Sequence, residues 1–511
     1  MVDAVFSTVY TAKLEGRIES VQRRKREIQR LHHALKLNRS KLVIALQKDG
    51  YSAADALLEI HTTLWKLREV FHFLDFGKSL AAEQMIEQGR DNLHRSQPLG
   101  TVLVLNGNRL VVAQALVQAA YTIATGNTSV IVLPSADKWR ATIIELQHLY
   151  ERSKVDAEIL QLVVPNSEAD YKKSITALLE CPFDAVVISD EQALDLTKQS
   201  DSHYASQERR LIHAISTAWP CIVTRNADIK QAARDISVAK FIVLSGQSLV
   251  SPSVVFVDEF ILPEFRAALE TAVGEASLAG HQLMSKSPTS FKKDKASSDA
   301  VQAFKALGGS ITEVQGGDIL VGKADWRYLD DYFPLKSFVN GGSQSPRARL
   351  LIVPVTSVEA AMSLGAQLIP PQGPSGWYYF CNMPESRYLT NISTEPTYVN
   401  GIPLSNHFLP LPFFPIEQVL NQYLKPSPIF NVRQDVSVNS SLFTFPSDLL
   451  ITTLEAAIEG DTLKPPVQKS GFQVGFFEQG ARMGLAHFLA VLLGTTGLGI
   501  WWIRSLWTAN A

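Results

Sequence analysis

The stretch Val243–Val257, VLSGQSLVSPSVVFV, has the layout of a reactive turn. Gly246, Gln247 and Ser248 make a small polar bend. Ser251-Pro252 opens a β-branched run that reads as a buried strand, and the tip between them carries Leu249. A nucleophile needs a lone pair, and a leucine side chain has none. Ser248 and Ser251 flank the tip, but the sequence shows no adjacent base to activate either, and strand alternation points neighbours to different faces. The three cysteines, Cys181, Cys221 and Cys381, lie far apart with no CxxC pair, so neither a disulfide framework nor a cysteine zinc site is supported. Cys221 begins a predicted strand and reads as a buried structural thiol.

The elements that must position this turn are legible in outline. At 511 residues the chain is long enough for about three domains. Its 48 Lys and Arg against 50 Asp and Glu leave a formal charge of -2, which implies no nucleic acid partner. Residues 15–75 are helical in pattern, with Ile28, Leu31, Leu35, Leu42, Ile44 and Leu46 at helical spacing and a break at Asp49-Gly50. The run RRKR at Arg23–Arg26 is expected on a solvated helix face. From Thr101 short apolar strands (TVLVL, SVIVL, LQLVV, DAVVI) alternate with helices starting near Leu110, Asp137 and Glu168, which argues for a parallel sheet covered by helices. A second unit begins near Pro220 with PCIV and the helix DIKQAARDISVAKF. Residues 283–298 read as a polar exposed loop.

The two ends of the chain differ in texture. The N-terminus carries Asp3 and no sustained apolar run, so it does not read as a signal peptide. Met483–Ile503 is a run of 21 uncharged residues, about 31 Å as a helix against a hydrocarbon layer of about 30 Å. Arg482 and Arg504 bracket it, and Trp501, Trp502 and Trp507 cluster where indoles favour the membrane interface. The expectation is a single-pass anchor with the bulk of the chain cytosolic. His487 is the costly member of that segment, since a buried imidazole needs a partner.

Gln97–Ala136 resembles the cofactor-domain core of aldehyde dehydrogenases, whose pattern runs PLG, strand, PWN, helix, AAGN, strand, KPSE. Pro98-Leu99-Gly100, Asn108 and Thr125-Gly126-Asn127 stand in register with it. ALQKDGYSAADALLEI, PFDAVVIS, NADIKQAARDI, SGQSLVSP, IVPVTSVEAAM and TYVNGIPLSNHF resemble further family segments in chain order, over roughly residues 20–415. The short N-terminus and apolar tail are most similar to the class 3, fatty aldehyde dehydrogenase branch. The resemblance implies an α/β fold with a Rossmann-type cofactor domain over 1–212 and an α/β catalytic domain over 213–395. It further implies a small β bridging or oligomerisation element, to which a hairpin at about 83–97 belongs, a bridging and C-terminal segment over 396–480, and the transmembrane helix at 483–503.

The resemblance also says what the chemistry would need. In that family the tip of the turn carries a cysteine whose thiolate attacks the aldehyde, and Leu249 occupies its place. The glutamate that serves as base falls on Ala214, while Asn108 keeps the place of the oxyanion-type asparagine; without an oxyanion its expected role is a turn residue bonded to its own backbone. The lysine and glutamate that hold the adenosine ribose correspond to Leu133 and Ala136. The Gly-Ser turn facing the pyrophosphate corresponds to Asp190-Glu191, whose charges would repel a phosphate but suit a helix start. Gln344 falls on the glutamate of the nicotinamide ribose. The expectation is therefore a family fold without the family's oxidation chemistry and without a bound cofactor. Such a protein would be membrane-anchored and pair as a homodimer or with an active relative, or bind an apolar small molecule. The alternative is an NAD- or NADP-dependent oxidoreductase acting on long-chain or apolar aldehydes through an altered site.

Overall fold

The structure, a computed structural model, describes residues 2–87, 98–189, 210–213, 219–246, 248, 250–278, 302, 304–306, 308–314, 317–323, 348–368, 376–392, 396–409, 429–431, 447–460 and 463. Four helices come first: α1 (Val2–Leu14), α2 (Val21–Lys48), α3 (Ala53–Phe73) and α4 (Phe76–Glu87). The Ser52 hydroxyl starts α3 by accepting the Asp55 N–H at 3.0 Å, a side-chain cap for an otherwise orphaned donor. On α2 the periodic set Ile28, Leu31, Leu35, Leu42 and Leu46 is fully buried. Ile44 is a correction to that set: it is 52% exposed, because at about 100° per residue it points away from the stripe that Leu42 and Leu46 share.

The basic run also differs from its expectation. Arg23 pairs with Asp156 at 2.6 Å, Arg24 donates to the carbonyls of Ile18 (2.7 Å) and Ala124 (3.3 Å), and Lys25 donates to the Leu74 carbonyl at 3.0 Å while lying 4.6 Å over the Phe71 ring. These long stems cover apolar surface and bring their charges to a carboxylate and to carbonyls, so Arg23, Arg24 and Lys25 tie α2 to its neighbours, while Arg26 is exposed as expected. Residues 83–87 of the expected hairpin continue α4, and residues 88–97 lie outside the described residues.

The apolar runs after Thr101 form β1 (Thr101–Leu105), β2 (Thr128–Val132), β3 (Leu160–Val163), β4 (Ala185–Ile188) and β5 (Arg210–His213), all parallel, in the order β3-β2-β1-β4-β5. Every residue of β1, β2 and β4 is buried, as expected for strands covered on both faces. Helices α5 (Val111–Ala124), α6 (Ala136–Ser153) and α7 (Glu168–Leu179) make the crossovers. Because the chain leaves β1 for β2 on one side and later places β4 on the other, the topological switch lies between β1 and β4. Open parallel sheets receive ligands outside the carboxyl ends at such a point.

The chain changes sheet between His213 and Trp219. The second sheet holds β6 (Trp219–Val223), β7 (Pro252–Asp258), β8 (Ser310–Val314), β9 (Gly317–Val321), β10 (Ala348–Val355), β11 (Trp377–Phe380), β12 (Thr397–Val399) and β13 (Ile429–Asn431). Its order is β13-β12-β11-β6-β7-β10-β9-β8, parallel except for the antiparallel β8–β9 edge. Helices α8 (Ile229–Ser237), α9 (Leu262–Leu278), α10 (Val358–Leu368) and α11 (Met383–Ile392) accompany it. The last described helix, α12 (Ser447–Gly460), sends Leu450, Leu454 and Ile458 into the core shared with α3. Among the described residues no helix is long and apolar enough to cross a membrane; the segment 483–503, with His487, and the expected loop 283–298 lie outside them.

Candidate functional site

The turn at 243–251 is held from below by three elements. After α8 the backbone widens into one π-helical turn, Val238–Ile242, and then tightens into a 3-10 turn over Val243–Gly246. Leu244 sits at φ 48, a left-handed conformation that costs a non-glycine residue free energy. Its N–H is taken by the Asp55 carboxylate of α3 at 3.1 Å. Gly246, at φ 72, could not be another residue, since a Cβ there would collide with the carbonyl oxygen of Lys240.

Both candidate serines are committed to this scaffold. Ser248 Oγ donates to the His407 carbonyl at 3.4 Å and accepts the Val250 N–H at 3.4 Å. Ser251 Oγ donates to the Ala239 carbonyl at 3.0 Å and is buried. The Tyr378 hydroxyl reaches the Val250 carbonyl at 2.9 Å from a cluster in which Trp219, Tyr378 and Tyr398 lie 5.2–5.9 Å apart by ring centroid. Neither serine hydroxyl bonds to a side-chain base among the described residues. Leu249 at the tip, and Ala214, lie outside the described residues.

Three titratable groups here carry no mark in the strand and helix pattern. Lys240 is 5% exposed, and burial pulls its amine down to about 8. His407 is fully buried; burial first, and the Lys240 charge second, pull its imidazole down to about 3, and neither ring nitrogen has a hydrogen-bond partner among the described residues. Burial pushes Asp55 up to about 6, against the pull of its bonds from Leu244 and Ser52. The one signal available in the sequence is Asp55 and Glu59 spaced four apart inside the apolar DALLEI, two acids on a face that must pack.

Glu59 answers a different need. Helix α5 starts at Leu110 in a left-handed conformation with no side-chain cap, and Glu59 Oε1 accepts the N–H groups of Val112 and Ala113 at 3.1 and 3.0 Å. A carboxylate of the chain itself thus occupies the anion position that a helix start offers. Burial raises Glu59 to about 7 even so.

At the switch point the structure places Asn106 and Ser189 one residue past Leu105 and Ile188, which are register partners. Asn106 is fully buried and Ser189 is 7% exposed, and Asn106 Oδ1, Asn106 Nδ2 and Ser189 Oγ have no partner among the described residues. Asn108 is half-buried in the bend before α5, and its amide bonds to no described residue, so the expected bond to its own backbone is absent. Leu133 follows β2 and is 0% exposed inside the large core, where an ammonium could not be solvated. Ala136 opens α6, capped by Ser135 through the Asp137 N–H at 3.3 Å, and packs against the same core. Neither side chain offers a polar atom to a ribose hydroxyl. Asp190, Glu191 and Gln344 lie outside the described residues.

All three cysteines are buried. Burial pushes Cys221 well above the usual thiol range and Cys381 up to about 12. A thiolate nucleophile needs the opposite shift.

Among solved structures the chain resembles Staphylococcus aureus AldH in its substrate-bound state, with a TM-score of 0.59 at 17% identity over 80% of this chain and 86% of that one. It also resembles the NAD-dependent benzaldehyde dehydrogenase of Corynebacterium glutamicum, with a TM-score of 0.59 at 14% identity over 83% and 86%. A third is the glyceraldehyde-3-phosphate dehydrogenase GapN of Methanocaldococcus jannaschii complexed with NADP, with a TM-score of 0.56 at 14% identity over 78% and 85%. At such identities the likeness concerns the fold: a parallel Rossmann-like sheet joined to a mixed one. No curated protein sequence matches the chain. The model of the aldehyde dehydrogenase family matches residues 2–316, more than half of the sequence, and the chain belongs to that family.

Proposed function

We propose that this family member does not oxidise aldehydes through a thiolate and acts instead as a binding or accessory protein, held to a membrane by the segment 483–503. The observation that carries the reading is the state of its sulfur: three cysteines in the whole chain, all buried, two of them with thiols pushed up by burial. Leucine at 249 and alanine at 214 support it from the sequence, as does the similarity of the apolar tail to the fatty aldehyde dehydrogenase branch. A bound dinucleotide would supply the hydride acceptor for oxidation. The two described positions that the resemblance assigns to its adenosine ribose, Leu133 and Ala136, have only hydrocarbon side chains and do not fit it.

The second reading, an active NAD- or NADP-dependent oxidoreductase, draws on the family's dinucleotide enzymes and on the idle polar atoms of Asn106 and Ser189 at the switch point. Titration of the full chain in detergent with NAD, NADH and NADP, followed by tryptophan fluorescence, separates the two. No saturable binding is expected. Micromolar binding accompanied by turnover of an aldehyde replaces the first reading with the second.

A further inference from the structure

Three strands of the second sheet end at a cavity of about 260 Å³. It is lined by residues 222–226 at the close of β6, Asp258 at the close of β7, Val355, Ser357 and Val358 where β10 passes into α10, and Glu385 from the first turn of α11. Ile222, Val223 and Val355 contribute buried hydrocarbon. Because β7 leaves the turn at 243–251 from Pro252 and reaches Asp258 six steps later, at about 3.3 Å each, the cavity lies about 20 Å from that turn. Its charges do not balance. Arg225 pairs with Asp258 at 3.4 Å, whereas among the described residues Glu385 is met by neutral donors alone: Thr224 Oγ1 and Asn226 Nδ2 at 2.7 Å and the Asn382 N–H at 3.4 Å. One arginine against two carboxylates leaves the lining at a formal charge of -1.

Between residues 219 and 431 the described residues expose three large apolar side chains, and all three adjoin this cavity. Phe260 is 68% exposed; its N–H donates to Asp258 at 3.0 Å, and the Arg225 guanidinium lies 4.2 Å over its ring. Met383, 57% exposed, stands two residues before Glu385, and Tyr388, 51% exposed, donates its hydroxyl at 3.0 Å to Glu359, the neighbour of Val358. Phenylalanine, tyrosine, methionine and arginine are the residues that protein interfaces collect. The hollow itself is smaller than the ~300–1,000 Å³ of clefts that bury a small ligand, so a molecule lodged wholly inside it leaves the apolar rim in water. A polypeptide segment covers both.

We infer that this surface docks a peptide segment of a partner protein, with a lysine or arginine seated in the cavity against Glu385 and apolar neighbours on Phe260, Met383 and Tyr388. A basic side chain fits because its methylene stem lies along the hydrocarbon of the lining while its head supplies the missing positive charge. The inference rests on the proposed binding role, for which it names a partner class, and it uses no residue of the turn at 243–251.

The test pans a random heptapeptide library displayed on phage against the full chain in detergent. The recovered peptides are expected to share a lysine or arginine with apolar neighbours, and fluorescence anisotropy of the commonest one should show binding that weakens as salt is added. Glu385→Gln keeps one acceptor oxygen and its N–H bond to Asn382 (2.9 Å) and removes the charge, so about a tenfold loss of affinity is expected; Phe260→Ser, at an exposed ring, should cost about fivefold. Thermal melting reports whether both variants fold. An empty selection, a selection without basic enrichment, or a peptide that binds both folded variants as tightly as the parent overturns the inference. So does displacement of the peptide by micromolar n-butylamine, which would make the cavity a small-amine site, and so does loss of a dimer on sedimentation of Phe260→Ser, which would give the surface to a second copy of this chain. NADH production from an aldehyde would instead overturn the proposed function and leave the peptide result standing on its own.

Discussion

Asn127 and Gly100 hold each other: Asn127 Oδ1 accepts the Gly100 N–H at 2.7 Å. Gly100, at φ 127, brings the chain into β1 where a Cβ would collide with Asp184 and Lys13, and Asp184 accepts the Thr101 N–H at 2.6 Å and the Lys13 ammonium at 2.9 Å. The PLG and TGN segments, matched to separate family motifs, are thus two halves of one joint between α5, β1 and β2. Their presence testifies to the fold and says nothing of catalysis. Asn127→Ala leaves the Gly100 donor buried and unpaired, so a loss of about 1–3 kcal/mol in denaturant unfolding is expected.

His407 makes the fold sensitive to acid. Its imidazole titrates near 6.5 when unfolded and near 3 when folded, so between those values the unfolded chain binds more protons. Its contribution is fully present above pH 6.5 and is lost as pH falls toward 3, about 5 kcal/mol over the window. His407→Gln should flatten that limb in denaturant melts taken from pH 7 to pH 4. A limb as steep as the parent's would mean that the imidazole is hydrated.

Glu59 has the opposite sign. Its carboxyl titrates near 4.5 unfolded and about 7 folded, so the folded chain binds more protons in that window. The stability it lends is present below pH 4.5 and is gone once pH has risen through 7. Glu59→Gln keeps an oxygen for Val112 and Ala113 and discards the buried charge. At pH 8 it should be more stable than the parent by up to about 3 kcal/mol, with the gap closing toward pH 5. A variant less stable at pH 8 would show that the ionised carboxylate is what the α5 start prefers.

Much of this was written in local pattern. TVLVL, SVIVL and DAVVI are strands because both faces are covered, and the order of the family segments fixes how they assemble. Ser52, Ser135 and Ser167 cap the helices they precede, the last by accepting the Asp170 N–H at 3.2 Å. What escaped was set by contact across the chain. Arg24 reads as a surface charge until Ala124 arrives, a hundred residues on, to receive it. His407 lies inside a recognised motif, yet its burial follows from packing against Ser248, 159 residues away. Asn106 looks like any polar residue ending a strand; only the β1–β4 pairing puts it beside Ser189.

The same logic bears on repair of the reactive turn. Leu249→Cys with Ala214→Glu would restore a nucleophile and a base, the two losses most visible in the sequence. The described residues around Leu249 are tied down by Asp55, Tyr378, Ser248 and Ser251. Hydride transfer still needs a dinucleotide held in place, and Leu133 and Ala136 offer its ribose nothing while Glu59 already satisfies the start of α5. The double variant is therefore expected to gain an iodoacetamide-reactive thiol and to form no NADH from decanal at millimolar NAD. NADH formation without any change at the cofactor positions would show that the dinucleotide site survives, with Asn106 and Ser189 the first residues to examine for it.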